Sequence, residues 1–134
     1  MLVYNGRVKV LFVCLGNICR SPTAEGVFRV LAARQGVHAI SLVDSAGTAS
    51  YHIGDPPDSR SQRAALERGY DLSQLRARAV QPDDFHDFDF ILAMDRANLQ
   101  ALQAMAPSHH RARIELLLDY ARAAGVVEVP DPYY

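Results

Sequence analysis

Cys14 and Arg20 stand with five residues between them in the stretch Cys-Leu-Gly-Asn-Ile-Cys-Arg-Ser. A loop of that length can curl until its main-chain N–H groups point at one centre. A tetrahedral dianion held there would meet N–H groups from Leu15, Gly16, Asn17, Ile18 and Cys19, with the planar fork of Arg20 gripping two of its oxygens. The Cys14 sulfur would sit beneath the phosphorus, in positive surroundings that favour the thiolate and so a nucleophile. Ser21, one residue past the arginine, can donate its hydroxyl to that thiolate. Breaking an ester also requires a proton for the leaving oxygen. Asp131, held between Pro130 and Pro132, is the best candidate. Tyr133 and Tyr134 offer flat faces to an aromatic leaving group, and Tyr51 an opposite wall. The expected substrate is an aryl phosphate.

Several elements must hold these groups in place. Val8 to Val13 reads as a buried strand running straight into Cys14, with Val10 to Val13 continuously apolar. From about Pro22 to Gln35 the spacing of Ala24, Val27, Phe28, Leu31 and Ala32 predicts a helix ended by Gly36. Ser21 is its natural N-cap, with Pro22 at the position where a missing N–H costs nothing. Glu25 falls one residue late for a capping box. The loop thus lies between a strand's carboxyl end and a helix's amino end, where anions bind in open α/β sheets.

Further along, Ile40 to Val43 reads as a second strand, closed by Asp-Ser-Ala-Gly. A long loop with Tyr51, His52 and two prolines leads to a helix over Asp58 to Arg68, with Asp58 as N-cap and Gly69 as stop. Tyr70 to Asp89 is irregular. There Asp83, Asp84, His86, Asp87 and Asp89 alternate with Phe85 and Phe88, which reads better as a solvated turn anchored by two aromatics than as a metal site. Phe90 to Met94 is a third strand, Asp95 caps a helix to about Ala106, and Ile114 to Leu117 is a fourth strand. His109 and His110 fall in a polar connection. Strands alternating with helices imply right-handed crossovers, and hence an α/β fold with a parallel, doubly wound sheet.

The 134 residues fit one domain and are 49% apolar and 22% charged, which is ordinary for a folded chain. A formal net charge of −1 argues against a nucleic-acid binder, so an anion site must be local. No apolar run approaches a membrane span and no signal peptide is evident, which makes the cytoplasm the expected location. Both cysteines, Cys14 and Cys19, lie in the same loop and cannot staple distant parts of the fold.

Three stretches together resemble the low-molecular-weight protein tyrosine phosphatases: Val-Cys-Leu-Gly-Asn-Ile-Cys-Arg-Ser-Pro-Thr-Ala-Glu, Ser-Ala-Gly-Thr, and the terminal Asp-Pro-Tyr-Tyr. The similarity runs in the family's order from about Val8 to Tyr134. It implies a four-stranded parallel sheet with helices on both faces, of the flavodoxin-like type, in a single domain over 1–134. It also implies no metal, no cofactor, and two chemical steps through a phosphocysteine. By position, the resemblance makes Cys14 the nucleophile, Arg20 and the loop N–H groups the phosphate binders, Ser21 the support of the thiolate, and Asp131 general acid and then general base. Asn17 would take the family's strained conformation, steadied by Ser45, and Cys19 would capture oxidised Cys14 as a reversible disulfide. Phosphotyrosine-containing proteins are the implied partners, with a tyrosine kinase among them if the source is bacterial.

The chain departs from the family's pattern at three points. Leu75 stands where many members carry a histidine that helps hold the loop asparagine, Tyr51 stands where relatives can carry Trp, and the closing helix that usually follows Asp-Pro-Tyr-Tyr is lacking. Two other function classes use such a loop. An arsenate reductase-like thiol redox enzyme relays through further cysteines, and this sequence has none outside the loop. A non-catalytic anion-binding module would not need both Cys14 and Asp131. Arginine phosphatases related to the family have threonine where this chain has Ile18, and an apolar side chain there suits an aryl ring.

Overall fold

The computed structural model describes residues 7–37, 39–120 and 128–129. Four parallel strands form the sheet: β1 (Val8–Cys14), β2 (Ile40–Gly47), β3 (Phe90–Ala93) and β4 (Arg113–Leu116), in the order β2-β1-β3-β4. Helices connect them: α1 (Arg20–Arg34), α2 (Ser59–Glu67), a single turn α3 (Asp84–Asp87) and α4 (Arg96–Met105), with a 3-10 turn over Leu117–Tyr120 after β4. The expected flavodoxin-like α/β sheet is therefore present, and its switch point falls at β1, where the order reverses and both neighbours' connections leave a crevice.

Central β1 is apolar on both sides because both sides are covered. Alternation sends Val8, Val10, Phe12 and Cys14 to one face, where Ala24 and Phe28 of α1 pack on them, Phe28 edge-on to Phe12 with ring centroids 5.5 Å apart. Leu11 and Val13 go to the other face and join Phe85, Ile91, Ala93, Leu116 and Leu102 of α4. Each such fully buried aliphatic or aromatic side chain contributes about 1.5–3 kcal/mol. Together these contacts make the carboxyl edge of β1 a rigid platform for the loop that follows.

The ends of elements differ from the pattern-based reading where tertiary partners compete. Helix α1 begins at Arg20, two residues before Pro22, with Cys19 at the cap and no side-chain cap bond. Ser21 is not the N-cap: it is fully buried in the first turn with its hydroxyl spent on Cys14 and Asn17. Leu31, expected on the buried face of α1, is 39% exposed. Strand β2 runs on through Asp44–Gly47, since these residues pair with Leu11–Cys14. Asp58 caps α2 as expected, accepting from the N–H groups of Arg60 and Ser61, and Asp95 caps α4 by accepting from Asn98 N–H.

The 70–89 stretch is more ordered than its sequence suggests. It contains α3 and a parallel bridge between Gly47 and Ala79. Phe85 and Phe88 are the buried anchors, but Asp84 and Asp89 are buried too, and the solvated-turn reading fails for them. Asp84 receives both Nη atoms of Arg78 at 3.0 and 3.1 Å. Asp89 receives Arg111 Nη2 and, at 2.8 Å, the N–H of Lys9. These two carboxylates are thus tied to cations and main chain, which removes them from any metal site. Among the described residues no helix is long and apolar enough to cross a membrane.

Candidate active site

Between the last residue of β1 and the first of α1, the loop Cys14 to Arg20 turns its carbonyl groups outward. Cys14 O accepts from Thr48 N–H at 3.0 Å, Leu15 O from Ala49 N–H at 2.9 Å, and Ile18 O from Asp58 N–H at 2.7 Å. Cys19 O accepts from the Thr23 hydroxyl at 2.7 Å. In a planar trans peptide the following N–H points the opposite way. The N–H groups of Leu15, Gly16, Cys19 and Arg20 are thereby aimed at the loop's centre. Asn17 N–H completes the ring and reaches Cys14 Sγ at 3.3 Å. The amino end of α1 adds its dipole behind them. This is an anion cradle, with a buried thiol at its floor.

Asn17 is the residue on which the cradle's shape turns. Its φ of 57° lies in the left-handed region that asparagine tolerates better than most residues. Only 2% exposed, it has every polar side-chain atom engaged. Nδ2 donates to Ser21 Oγ at 2.8 Å and to Ser45 Oγ at 2.9 Å, while Oδ1 accepts from Arg78 N–H at 2.9 Å. Ser21 Oγ accepts from Asn17 Nδ2 and lies 3.0 Å from Cys14 Sγ, where its hydroxyl can donate to a thiolate. Ser45 turns its proton onto Glu25 Oε1 at 2.7 Å. One amide thus engages both hydroxyls, and one of them lies beside the sulfur.

Glu25 was not singled out for this role by sequence reasoning. The signal was present: an acid four residues past Ser21 and three before Phe28 lies on the helix face that is otherwise buried. It is 3% exposed, and burial pushes its carboxyl above the ordinary range, against the Ser45 hydroxyl and Arg29, which favour the ionised form. Arg29 Nη2 donates to Glu25 Oε2 at 2.6 Å. Arg78 is the second missed residue. Burial opposes its charge, yet Asp84 and Asp44 outweigh that and hold it above its usual value. The departure at Leu75 is answered by these groups. Ser45 finds its acceptor in Glu25, and Asn17 finds its donor in the main chain of Arg78, neither of which needs a histidine at 75.

Arg20 is 8% exposed and its Nη1 donates to Asp95 Oδ2 at 2.7 Å and to the carbonyl of Val129 at 2.9 Å. Asp95 therefore does two things at once, capping α4 with one oxygen and orienting the arginine with the other. Cys19 is buried with Ile18 and Ala77. At the rim, Tyr51 is 76% exposed. Its neighbour His52 is the group laid on the loop. A Cβ added at Gly16 would come within 3.1 Å of the imidazole Cδ2, and Nδ1 pairs with Asp55 at 3.2 Å. Asp131, Tyr133 and Tyr134 lie outside the described residues. Among the described residues no group of three His, Cys, Asp or Glu side chains could hold a metal ion.

Residues 9–134 match the family model described as low molecular weight phosphotyrosine protein phosphatase. Over 127 residues the chain is 46% identical to the low molecular weight protein-tyrosine-phosphatase YfkJ of Bacillus subtilis, covering 95% of this chain and 81% of that one. The crystal structure of YfkJ superposes with a TM-score of 0.89 over 96% of this chain and 80% of that one. A structure described as DARP, a Drosophila arginine phosphatase, superposes with a TM-score of 0.88 at 36% identity, covering 95% of this chain and 82% of that one.

Proposed function

Since this chain belongs to the low molecular weight phosphotyrosine protein phosphatase family and is a protein tyrosine phosphatase, we propose that it hydrolyses phosphotyrosine and other aryl phosphate monoesters through a phosphocysteine on Cys14. The inward N–H groups of the loop and the Arg20 guanidinium hold the three non-bridging oxygens. The Cys14 thiolate attacks phosphorus in line with the departing phenol oxygen, and Asp131 gives that oxygen its proton as the P–O bond breaks. Ionised Asp131 then takes a proton from water. The resulting hydroxide attacks phosphorus, and inorganic phosphate leaves as the Cys14 thiolate is restored. Ser21 donates a hydrogen bond to the thiolate at both ends of the cycle and so stabilises it as attacking and as leaving group.

The observation that carries this reading is the 3.0 Å contact of the Ser21 hydroxyl with Cys14 Sγ, at the floor of a loop whose Cys14, Leu15, Ile18 and Cys19 carbonyls are bonded elsewhere. A simple anion-binding module has no need of a sulfur so supported. Asp131 is the second residue in sequence after Val129, whose carbonyl accepts from Arg20 Nη1. Substrates are phosphotyrosine-bearing proteins and, in a bacterial setting, a tyrosine kinase among them. Ile18 is apolar and packs with Cys19 and Ala77, and an apolar residue at this loop position favours phosphotyrosine over phosphoarginine.

Hydrolysis of p-nitrophenyl phosphate and phosphoarginine in excess chelator, with wild type beside Cys14→Ser, tests the reading. Aryl phosphate turnover that survives chelation and vanishes in the variant, while the variant still binds inorganic phosphate, is the expected result. Turnover by Cys14→Ser would overturn the nucleophile assignment, and faster cleavage of phosphoarginine would overturn the substrate class.

A further inference from the structure

The chemical steps leave one buried acid beside the site without a task. Glu25, in α1, is 3% exposed and is bonded at both ends of its carboxylate. Oε1 accepts from the Ser45 hydroxyl at 2.7 Å and Oε2 from Arg29 Nη2 at 2.6 Å. Burial holds this carboxyl above its ordinary range, against the Ser45 bond and Arg29. An acid is rarely buried unless its bonds are needed, because desolvation opposes its charge.

What the acid does to Ser45 follows from counting donors and acceptors. A hydroxyl has one proton and two acceptor sites, and an ionised carboxylate only accepts. With its proton on Glu25, Ser45 Oγ is left as an acceptor, and Asn17 Nδ2 donates to it at 2.9 Å. The same nitrogen donates to Ser21 Oγ at 2.8 Å, and Ser21 Oγ lies 3.0 Å from Cys14 Sγ. Every contact in this row from Glu25 to Cys14 is buried, out of reach of water that would replace a lost partner. Released from Glu25, the Ser45 hydroxyl is free to turn its proton toward the Asn17 amide, where two donors would face each other.

We propose that Glu25 is a positioning residue for the phosphate cradle: by taking the Ser45 proton it keeps Ser45 an acceptor for Asn17, and so holds the left-handed turn of the loop in shape beneath a bound phosphate. This rests on the reading of the Cys14 to Arg20 loop as a phosphate site given above. Glu25 touches neither the sulfur nor the substrate and acts through Ser45 and Asn17. A carboxylate suits the place because Ser45 and Arg29 both need an acceptor from it, whereas an amide of the same shape has an acceptor at one end only.

Inorganic phosphate affinity reads the cradle without turnover, and p-nitrophenyl phosphate reads it with turnover. For folded Glu25→Ala, phosphate affinity and kcat/KM should each fall about tenfold, the scale of one hydrogen bond to a charged group. Glu25→Gln, of the same shape and with one acceptor left, should show a smaller loss of the same kind. Ser45→Ala should lose about as much as Glu25→Ala, and adding either Glu25 substitution to it should cost less than about twofold more, since the acid then has no hydroxyl left to orient. Unchanged affinity and turnover in both Glu25 variants, or losses that multiply in the double variants, would overturn the proposal. Tighter phosphate binding by Glu25→Gln would overturn it too, because the acid would then act through its field alone. A wild type that binds phosphate but does not turn over p-nitrophenyl phosphate would instead sink the phosphatase reading, and the affinity measurements would still decide the role of Glu25.

Discussion

Replacing Asn17 separates the two things that the residue does. Asn17→Ala removes three hydrogen bonds, two buried ones to Ser21 and Ser45 and a part-buried one from Arg78 N–H, and asks an alanine to hold a φ of 57°. At about 1 kcal/mol net for each bond, with an added charge for leaving the Arg78 N–H unpartnered, the loss is about 3–5 kcal/mol. That is a large part of the 5–15 kcal/mol typical of a domain. An unfolding entropy of about 2 cal/mol/K per residue converts it to a fall in Tm of roughly 10–18 °C. Asn17→Gly makes the left-handed backbone easy again and restores only the strain, about 1 kcal/mol. The expected order of Tm is wild type, then Gly, then Ala, with the first gap the wider. Both variants should lose about 10²-fold in kcat/KM for p-nitrophenyl phosphate, since the loop N–H groups and Ser21 are no longer held on target. A glycine variant that matches wild type in both Tm and turnover would refute this account: Asn17 would then be present for its backbone alone.

Two further outcomes follow from the same network. Burial raises the folded-state carboxyl of Glu25 above its unfolded value, so its contribution to stability is full below the unfolded range and is lost as pH rises through the folded one. The Tm of Glu25→Gln relative to wild type should therefore climb as pH rises above the ordinary carboxyl value of 4.5, and a difference flat with pH would show that the buried charge carries no cost. Cys19→Ser should turn over substrate but recover poorly with thiol after peroxide, because nothing would trap oxidised Cys14 as a disulfide. Recovery equal to wild type would remove that protective role.

How far the sequence speaks depends on how local the interaction is. The cradle from Cys14 to Arg20 is contiguous, and its flanking strand and helix are written in the same thirty-odd residues as apolar runs, so fold type and nucleophile could be read directly. The support for the cradle is written elsewhere. Ser45 and Glu25 meet across 20 positions, Arg78 and Asn17 across 61, Arg20 and Asp95 across 75. None of these pairs has a periodicity, and each member alone reads as something plainer: Glu25 as a misplaced capping acid, Asp95 as a helix cap, Asp84 as a solvated turn residue. Ser21 shows the competition most directly. Its type and place before Pro22 fit an N-cap, yet the sulfur and the asparagine amide claim its only hydroxyl, and the helix starts two residues earlier, at Arg20, with no side-chain cap. A local stabilisation worth about 1 kcal/mol has been given up where the hydroxyl can face the thiol instead.

The same competition explains why a chain of net charge −1 can hold a dianion. Among the described residues, the acids near the site are spent on partners away from the cradle's centre. Asp84 and Asp44 are turned onto Arg78, Glu25 onto Ser45 and Arg29, and Asp95 onto the α4 amino end and Arg20. Among the described residues, what faces the centre is N–H groups, a helix end and a thiol. The acids thus serve as the outer frame that orients positive groups inward, and neutralising one of them should misplace a donor rather than simply make the pocket more positive. That distinguishes the frame from a field effect: removing the Asp95 carboxylate as Asp95→Asn should weaken inorganic phosphate binding, whereas a field argument alone requires it to strengthen.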